Sequence, residues 1–357
     1  MLSDKYTYID AIREGTRQAM LEDPDVILIG EGVPDPKAVF GSTRGLQEEF
    51  GDKRVFDMPV SENGITGMCI GAALTGLKPI IVHQRIDFTL YAMDQIVNNA
   101  AKWHSMYGGR GGNVPMVIRA IVGRGWGQGN QHSQCLSHLY AMIPGLKVVC
   151  PANAQDAKDL LLEAVRDPNP VMFIEHRWLH NTESEVETYV PAKIGQAKVY
   201  PGEDLTIVAW SYMVVEALKV RTLLAKIGVK AEVLDMRTIR PMDFDAIQRS
   251  VEKTGTLLIL EEAWKYNSLS SEIFTELHER SVLNDSVWFK RMTLPDCYAP
   301  SSPHMANHFY PNILEILDNS ISMTGDRAGS LNLRKNLADT EAFREQDIPD
   351  PSFKGPF

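Results

Sequence analysis

Two short segments of this 357-residue sequence carry side chains that could do acid–base chemistry. Glu62 lies in PVSENG, where a short apolar run turns into a glycine-containing helix start, and His132 lies in QHSQC, directly after the glycine-rich VGRGWGQGN. A carboxylate can share a proton with a ligand, and a histidine can donate, accept or shuttle one near neutral pH. Each also fits a structural role, as a carboxylate bonded to helix amides or a hydrogen-bonded loop histidine.

Several other kinds of site are not indicated. The segment GRGWGQG lacks the GxGxxG spacing of a dinucleotide fingerprint, and we find no P-loop and no recognisable metal-ligand spacing. The cysteines are scattered without a CxxC pair, which favours reduced thiols; they are Cys69, Cys135, Cys150 and Cys297.

The composition of the chain argues against some classes of binding partner. The formal net charge is −10, which disfavours nucleic acid and anionic membranes because both reward basic patches. No apolar run approaches the roughly 20 residues that span a bilayer. The first residues, MLSDKYTYID, contain no signal-peptide core, so we expect a cytoplasmic protein.

Strands alternate with helices along the chain, which predicts an α/β fold with mostly parallel sheets in two domains. The predicted strands are 25–32, 55–64 (running into a loop), 78–84, 114–123, 146–153, 171–179, 205–211, 230–239, 256–264 and 287–293. The predicted helices are 5–23, 65–76, 87–106, 154–166, 212–227, 243–252 and 268–280. Helix 65–76 is dense in small residues, which predicts tight packing on both sides. We expect domains at 1–180 and 204–323, an irregular linker at 181–203, and a tail at 324–357 that is extended or disordered in isolation.

Six segments, taken in order, resemble the beta subunit of pyruvate and branched-chain 2-oxo acid dehydrogenases. They are PVSENGITGMCIGAALTGLKP, DFTLYAMDQIVNNAAK, YGG…VPMVIR, QHSQC, PGLKVVCPANAQDAKDLLLEAVRDPNPV and VLDMRTIRPMD. The resemblance covers roughly residues 5–320. It implies a transketolase-like pyrimidine-binding domain followed by a transketolase C-terminal domain.

The resemblance also implies a role for individual residues. Glu62 would hydrogen-bond the aminopyrimidine ring of thiamine diphosphate and activate it, and Phe88 would stack on that ring. His132 would lie near the reacting carbon and guide acyl transfer. The remaining cofactor contacts would be Glu31, Val60 and Gln84, and Arg119 falls on the family's strand arginine. A structural potassium ion would be bound by Met116, Ala164, Asp167 and Asn169, largely through carbonyl oxygens.

By the same resemblance this chain is half of a catalyst. The partner alpha subunit would bind the diphosphate through Mg²⁺ with a GDG motif, which we do not find here: Gly51-Asp52 leads to Lys53, and Gly325-Asp326 leads to Arg327. We therefore expect an alpha2beta2 heterotetramer acting on a small 2-oxo acid, with a lipoyl acyltransferase core as a further partner.

Two alternatives to oxidative decarboxylation with acyl transfer to lipoyl stay open. One is a related thiamine enzyme without lipoyl transfer, such as a transketolase half, a decarboxylase or a carboligase. The segments HQRID (83–87) and KYNSLSSEI (265–273) depart from the family pattern and favour it. The other is a non-enzymatic scaffold, against which the presence of Glu62, Phe88 and His132 argues.

Overall fold

A computed structural model describes residues 4–123, 128–186, 192–325 and 328–338. Three segments considered in the sequence analysis lie partly outside this part: the glycine-rich segment at 124–127, the predicted linker at 187–191, and the predicted tail at 339–357. The strands are β1 (Asp4–Thr7), β2 (Val26–Gly30), β3 (Val55–Phe56), β4 (Lys78–His83), β5 (Val117–Val122), β6 (Lys147–Val149), β7 (Val171–His176), β8 (Glu183–Val186), β9 (Lys198–Tyr200), β10 (Leu205–Ala209), β11 (Ala231–Asp235), β12 (Thr238–Arg240), β13 (Thr256–Trp264) and β14 (Trp288–Leu294).

The α-helices lie between and around these strands. They are α1 (Tyr8–Glu22), α2 (Leu46–Phe50), α3 (Glu62–Leu74), α4 (Trp103–Met106), α5 (Ser137–Ala141), α6 (Ala154–Arg166), α7 (Tyr212–Ala225), α8 (Phe244–Thr254), α9 (Leu269–Glu279), α10 (Pro303–Ala306), α11 (Ile313–Thr324) and α12 (Ser330–Ala338). In the described residues, no helix is both long and apolar enough to cross a bilayer.

The first domain is built on a seven-stranded sheet in the order β12-β6-β7-β5-β4-β2-β3. Every neighbouring pair is parallel except β12 with β6. Strands β2 and β5 are buried along their whole length, as expected where helices cover both faces of a parallel sheet. The predicted α/β class with mostly parallel sheets is confirmed.

The second domain has a five-stranded sheet in the order β14-β13-β10-β11-β9. Strand β12 follows β11 in the chain but belongs to the seven-stranded sheet of the first domain. The prediction of a single strand at 230–239 is wrong. The strand is interrupted after β11 at Arg237, whose φ is +55°. Strand β12 then crosses over and pairs antiparallel with β6. The Arg237 side chain donates to Asp156 Oδ1 at 2.6 Å and so fastens this crossing to helix α6.

Other elements differ in detail from the sequence predictions. The predicted helix 5–23 starts as strand β1, which pairs with β8, and β8 and β9 both lie in the stretch expected to be irregular. The predicted helix 87–106 is divided into a 3₁₀ segment (Ile86–Ala92), a π segment (Asp94–Ala100) and α4. The tail contains helix α12, whose Arg334 donates to Asp318 of α11 at 2.7 Å.

Helix α3 was expected to pack tightly on both sides, and within this chain that is wrong. One side is buried through Thr66, Cys69 and Ile70. The opposite side, with Gly64, Met68 and Gly71, is exposed. A face of small residues is therefore open at the surface of the single chain.

A buried ion pair lies in the middle of the first sheet. Arg119 on β5 donates through Nε to Glu175 Oε1 on β7 at 2.6 Å, and both side chains are fully buried. Arg119 also donates from Nη2 to Ser42 Oγ at 2.9 Å. The pair thus joins two central strands to the turn that contains Ser42.

We expect Glu175→Gln to destabilise the protein by about 3–5 kcal/mol, because the substitution leaves the Arg119 charge buried without its counter-charge. Urea unfolding followed by circular dichroism measures this loss. The matched control is Glu22→Gln, which breaks the exposed pair between Glu22 and Arg166 and should cost much less. Equal losses for the two variants would contradict the prediction.

Candidate active site

Polar residues gather at the carboxyl edge of the first sheet, where parallel strands place their following loops side by side. Glu31 follows β2, Gln84 and Arg85 follow β4, Gly123 follows β5, and Arg177 follows β7. The structure therefore brings segments that are far apart in sequence to one edge.

Two carboxylates form the first part of this edge. Glu62 is the first residue of α3 and is 8% exposed. Burial raises the pKa of the Glu31 carboxyl, and the carboxylates of Glu62 and Asp57 raise it further. Among the described residues, the buried Oε1 atom of Glu31 has no hydrogen-bond partner. Gln84 donates from Nε2 to the Glu31 carbonyl at 3.0 Å. Glu31 Oε1 is therefore an acceptor to which a ligand could donate a hydrogen bond.

A contact between two aromatic rings forms the second part of this edge. The rings of Phe88 and His132 meet edge to face with their centroids 5.3 Å apart. Beside them Gln134 donates to Asp87 Oδ1 at 2.7 Å. This hydrogen bond is a second contact between the segment that contains Phe88 and the segment that contains His132. Phe88 and His132 are both half-buried, and each ring keeps some exposure. Val60, by contrast, is 82% exposed and projects from the loop before α3.

The residues predicted to bind potassium lie together at the opposite edge of the sheet, where the strands begin. The Met116 carbonyl accepts from Val171 N at 3.0 Å, and the Ala164 carbonyl accepts from Asp167 N at 3.3 Å. Asp167 contacts the Lys147 ammonium group, and its Oδ1 accepts from Asn169 N at 3.0 Å. These residues are therefore brought together, but away from Glu31 and Phe88.

Sequence reasoning missed a contact between the two domains at the carboxyl edge. His176 at the end of β7 bonds through Nε2 to Glu262 Oε2 at 2.8 Å, and its ring stacks on Tyr212 at 4.9 Å. The neighbouring Glu261 accepts instead from the backbone of Leu269 and Ser270, as expected for residues that alternate along a strand. His176 fell inside the predicted strand 171–179, so its position in the sequence did not mark it; the structure ends β7 at this residue.

We expect Glu31→Gln to raise the melting temperature at pH 8 and to leave it unchanged near pH 4. A carboxyl whose folded pKa exceeds its unfolded pKa holds its proton more tightly when folded, so its ionisation lowers the free energy of unfolding as pH rises through that interval. Thermal melts across this pH range measure the difference, with Glu48→Gln on the exposed side of α2 as control. A variant that is less stable at pH 8 would contradict the assignment.

Two family models match the chain. Residues 4–182 match the transketolase pyrimidine-binding domain, and residues 195–316 match the transketolase C-terminal domain. The first model covers the seven-stranded sheet and the residues of the candidate site, apart from the crossing strand β12.

Similar proteins span nearly the whole chain. The beta subunit of acetoin:2,6-dichlorophenolindophenol oxidoreductase from Cupriavidus necator is 39% identical, over 86% of this chain and 94% of that protein. The mitochondrial pyruvate dehydrogenase E1 component subunit beta-1 of Arabidopsis thaliana is 38% identical, over 87% of each. Among solved structures, a split-gene transketolase described as an inactive beta4 tetramer superposes with a TM-score of 0.71 at 19% identity, covering 89% of this chain and 99% of that one. This last likeness concerns the fold.

Proposed function

Because this chain belongs to the transketolase-like family of beta subunits of thiamine-diphosphate-dependent 2-oxo acid dehydrogenases, we propose that it activates thiamine diphosphate through Glu62 for the oxidative decarboxylation of a 2-oxo acid. The observation that carries the proposal is the pair of carboxylates at the carboxyl edge. Glu62 begins a helix beside Glu31, whose buried Oε1 has no hydrogen-bond partner in the part of the chain that the structure describes.

The residues at this edge fit the aminopyrimidine ring of the cofactor. The amino group of such a ring could donate a hydrogen bond to Glu31 Oε1, which has no donor among the described residues. Its flat face suits the half-exposed ring of Phe88, held by the edge of His132. Gln84 and the exposed Val60 would complete the lining.

Each side chain then has a separate task. When bound, thiamine diphosphate supplies the carbanion chemistry that the protein's own side chains lack. Glu62 would hold or share a proton with the pyrimidine ring nitrogen, and its low exposure would keep water from competing for that hydrogen bond. Phe88 would hold the plane of the ring. His132, in contact with Phe88, would be able to hold or move a proton beside the cofactor.

The chain works with an alpha subunit, and α3 offers a surface for it. This helix begins at Glu62, and its exposed side carries Gly64, Met68 and Gly71, where another backbone could pack closely. Within the described residues, no group of three or more histidine, cysteine or acidic side chains could hold a metal ion. We propose that the alpha subunit binds the diphosphate and Mg²⁺, in an alpha2beta2 heterotetramer.

Acyl transfer to lipoyl is the proposed second half of the reaction. It rests on relatives named as pyruvate dehydrogenase E1 components, and a neighbouring gene for a lipoyl acyltransferase would support it. The name of the Arabidopsis relative includes "mitochondrial", so a cytoplasmic location stays a prediction.

We expect Glu62→Gln to reduce turnover about 100-fold to 10,000-fold in the complex with the alpha subunit, because the amide cannot share a proton with the ring. The assay is decarboxylation of a 2-oxo acid with an artificial electron acceptor. Glu48→Gln on the exposed side of α2 is the matched control, and this chain without its partner should show no turnover. Full activity of the Glu62 variant in an intact complex would refute the proposed role.

The oxygen atoms near Asp167 also fit a potassium ion, which we propose as a structural ligand. Each carbonyl of Met116 and Ala164 accepts one backbone hydrogen bond and keeps a second lone pair for a cation. The Lys147 ammonium group already contacts Asp167, so the ion would share that carboxylate with it.

We expect a higher melting temperature in potassium chloride than in choline chloride of equal ionic strength, because an ion that binds the folded state alone stabilises it. Asp167→Ala should reduce this difference, because it removes the carboxylate proposed as a ligand, whereas Asn98→Ala on the surface should leave it intact. Equal melting temperatures of the unmodified protein in both salts would exclude the site.

A further inference from the structure

The hydroxyl of Tyr140 holds the residue that follows Phe88. Tyr140 lies in α5 and is fully buried, and its hydroxyl bonds to Thr89 Oγ1, which is fully buried as well. The Thr89 hydroxyl has one hydrogen, which it donates to the Ile86 carbonyl at 2.5 Å. Tyr140 is therefore the donor to Thr89. Burial raises the pKa of Tyr140 to about 12, so this donor keeps its proton at neutral pH.

The segment that contains Phe88 is weakly held by its own hydrogen bonds. It is the 3₁₀ segment Ile86–Ala92, which among the described residues has no side-chain hydrogen bond at its N-cap. Hydrogen bonds in a 3₁₀ helix have poorer geometry than those in an α-helix. The Phe88 ring is also only half-buried, so core packing does not hold it from every side. The orientation of this ring therefore depends on contacts from outside the segment.

Three consecutive residues, of which Phe88 is the middle one, each contact a residue of a single neighbouring segment. The contacting pairs are Asp87 with Gln134, Phe88 with His132, and Thr89 with Tyr140. A hydrogen bond thus lies on each side of the aromatic contact. Because the backbone is held both before and after Phe88, fewer rotamers are open to its ring.

Tyr140 is itself anchored in the core. Its ring lies in the same buried hydrophobic cluster as Ile96 and Leu146. The carbonyl of the next residue, Ala141, accepts from Arg240 Nη1 at 3.0 Å, and Arg240 belongs to the crossing strand β12. The donor to Thr89 is therefore attached to a rigid part of the protein on which the Phe88 segment can be fixed.

We propose that Tyr140 is a positioning residue for the cofactor, which through Thr89 fixes the Phe88 ring in the plane that stacks on the aminopyrimidine ring. The inference rests on the proposed function and adds a residue to it. Because Tyr140 is fully buried, it acts through Thr89 and not by contact with the cofactor. A ring that is already held in its bound orientation loses less conformational entropy when the cofactor binds. Stacking holds the cofactor equally before and during the reaction, so its loss should change KM and not kcat.

Tyr140→Phe tests this role in the complex with the alpha subunit, because it removes the hydroxyl and keeps the ring. We expect KM for thiamine diphosphate, and its Kd measured by calorimetry, to rise about 3-fold to 10-fold, the worth of one hydrogen bond. At saturating cofactor kcat should stay nearly unchanged. Thr89→Val should give a similar rise, and Thr89→Ser should keep the native value. Adding Tyr140→Phe to Thr89→Val should weaken binding no further, because the shared hydrogen bond is already lost.

Tyr8→Phe is the matched control. Tyr8 is also fully buried, and its hydroxyl donates to the Pro151 carbonyl at 3.2 Å. This variant should lower the melting temperature about as much as Tyr140→Phe does and leave the Kd for thiamine diphosphate unchanged. Phe88→Leu, which removes the aromatic face, gives the scale for the loss of stacking. Melting temperatures show that each variant has folded.

The outcomes separate the positioning role from the proposed function. Weaker cofactor binding by Phe88→Leu, with an unchanged Kd for Tyr140→Phe, would overturn the positioning role and leave the proposed function standing. An equal rise in Kd for Tyr140→Phe and Tyr8→Phe would reflect a general loss of stability and would also overturn the role. An unmodified complex that does not bind thiamine diphosphate would refute the proposed function, and the positioning role with it.

Discussion

The ion pair between Arg119 and Glu175 is the constraint on which the candidate site depends. It lies between β5 and β7 and is fully buried, so its cost in lost hydration favours a single register between the two strands. Four residues after Arg119 the chain reaches Gly123, and one residue after Glu175 it reaches His176. A shift between these strands would separate Gly123 from the His176 ring that it contacts. The bond from Arg119 to Ser42 extends the same constraint to the turn that carries Phe40.

The two edges of the first sheet have different chemistry for a simple topological reason. Parallel strands place all their carboxyl ends on one side, where Glu31, Gln84 and Arg85 meet, and all their beginnings on the other, where Met116 and Asp167 meet. The second domain then closes one side of the carboxyl edge. It does so through the crossing strand β12 and through Glu262, which bonds to His176. Either domain by itself would leave this edge more open.

Within the single chain one side of the candidate site is open. Glu62 is buried at the start of α3, yet the outer side of that helix is exposed, and so is Val60 just before it. This combination suits a beta subunit whose cofactor lies between two chains. The prediction that α3 packs tightly on both sides was wrong for the single chain, and the proposed alpha subunit would supply the missing neighbour of its small residues.

The sequence by itself determined the elements with strong local signals. Helix α6, with Asn153 capping it, and the nine-residue strand β13 have the predicted bounds, because hydrophobic period and capping are properties of neighbouring residues. Glu62, Phe88 and His132 were predicted as site residues from the order of several segments. Only the tertiary structure decided the interruption at Arg237, the pairing of β1 with β8, and the contact of His176 with Glu262. Each of these depends on contacts between residues that are distant in sequence. A local sequence pattern does not predict the energies of such contacts.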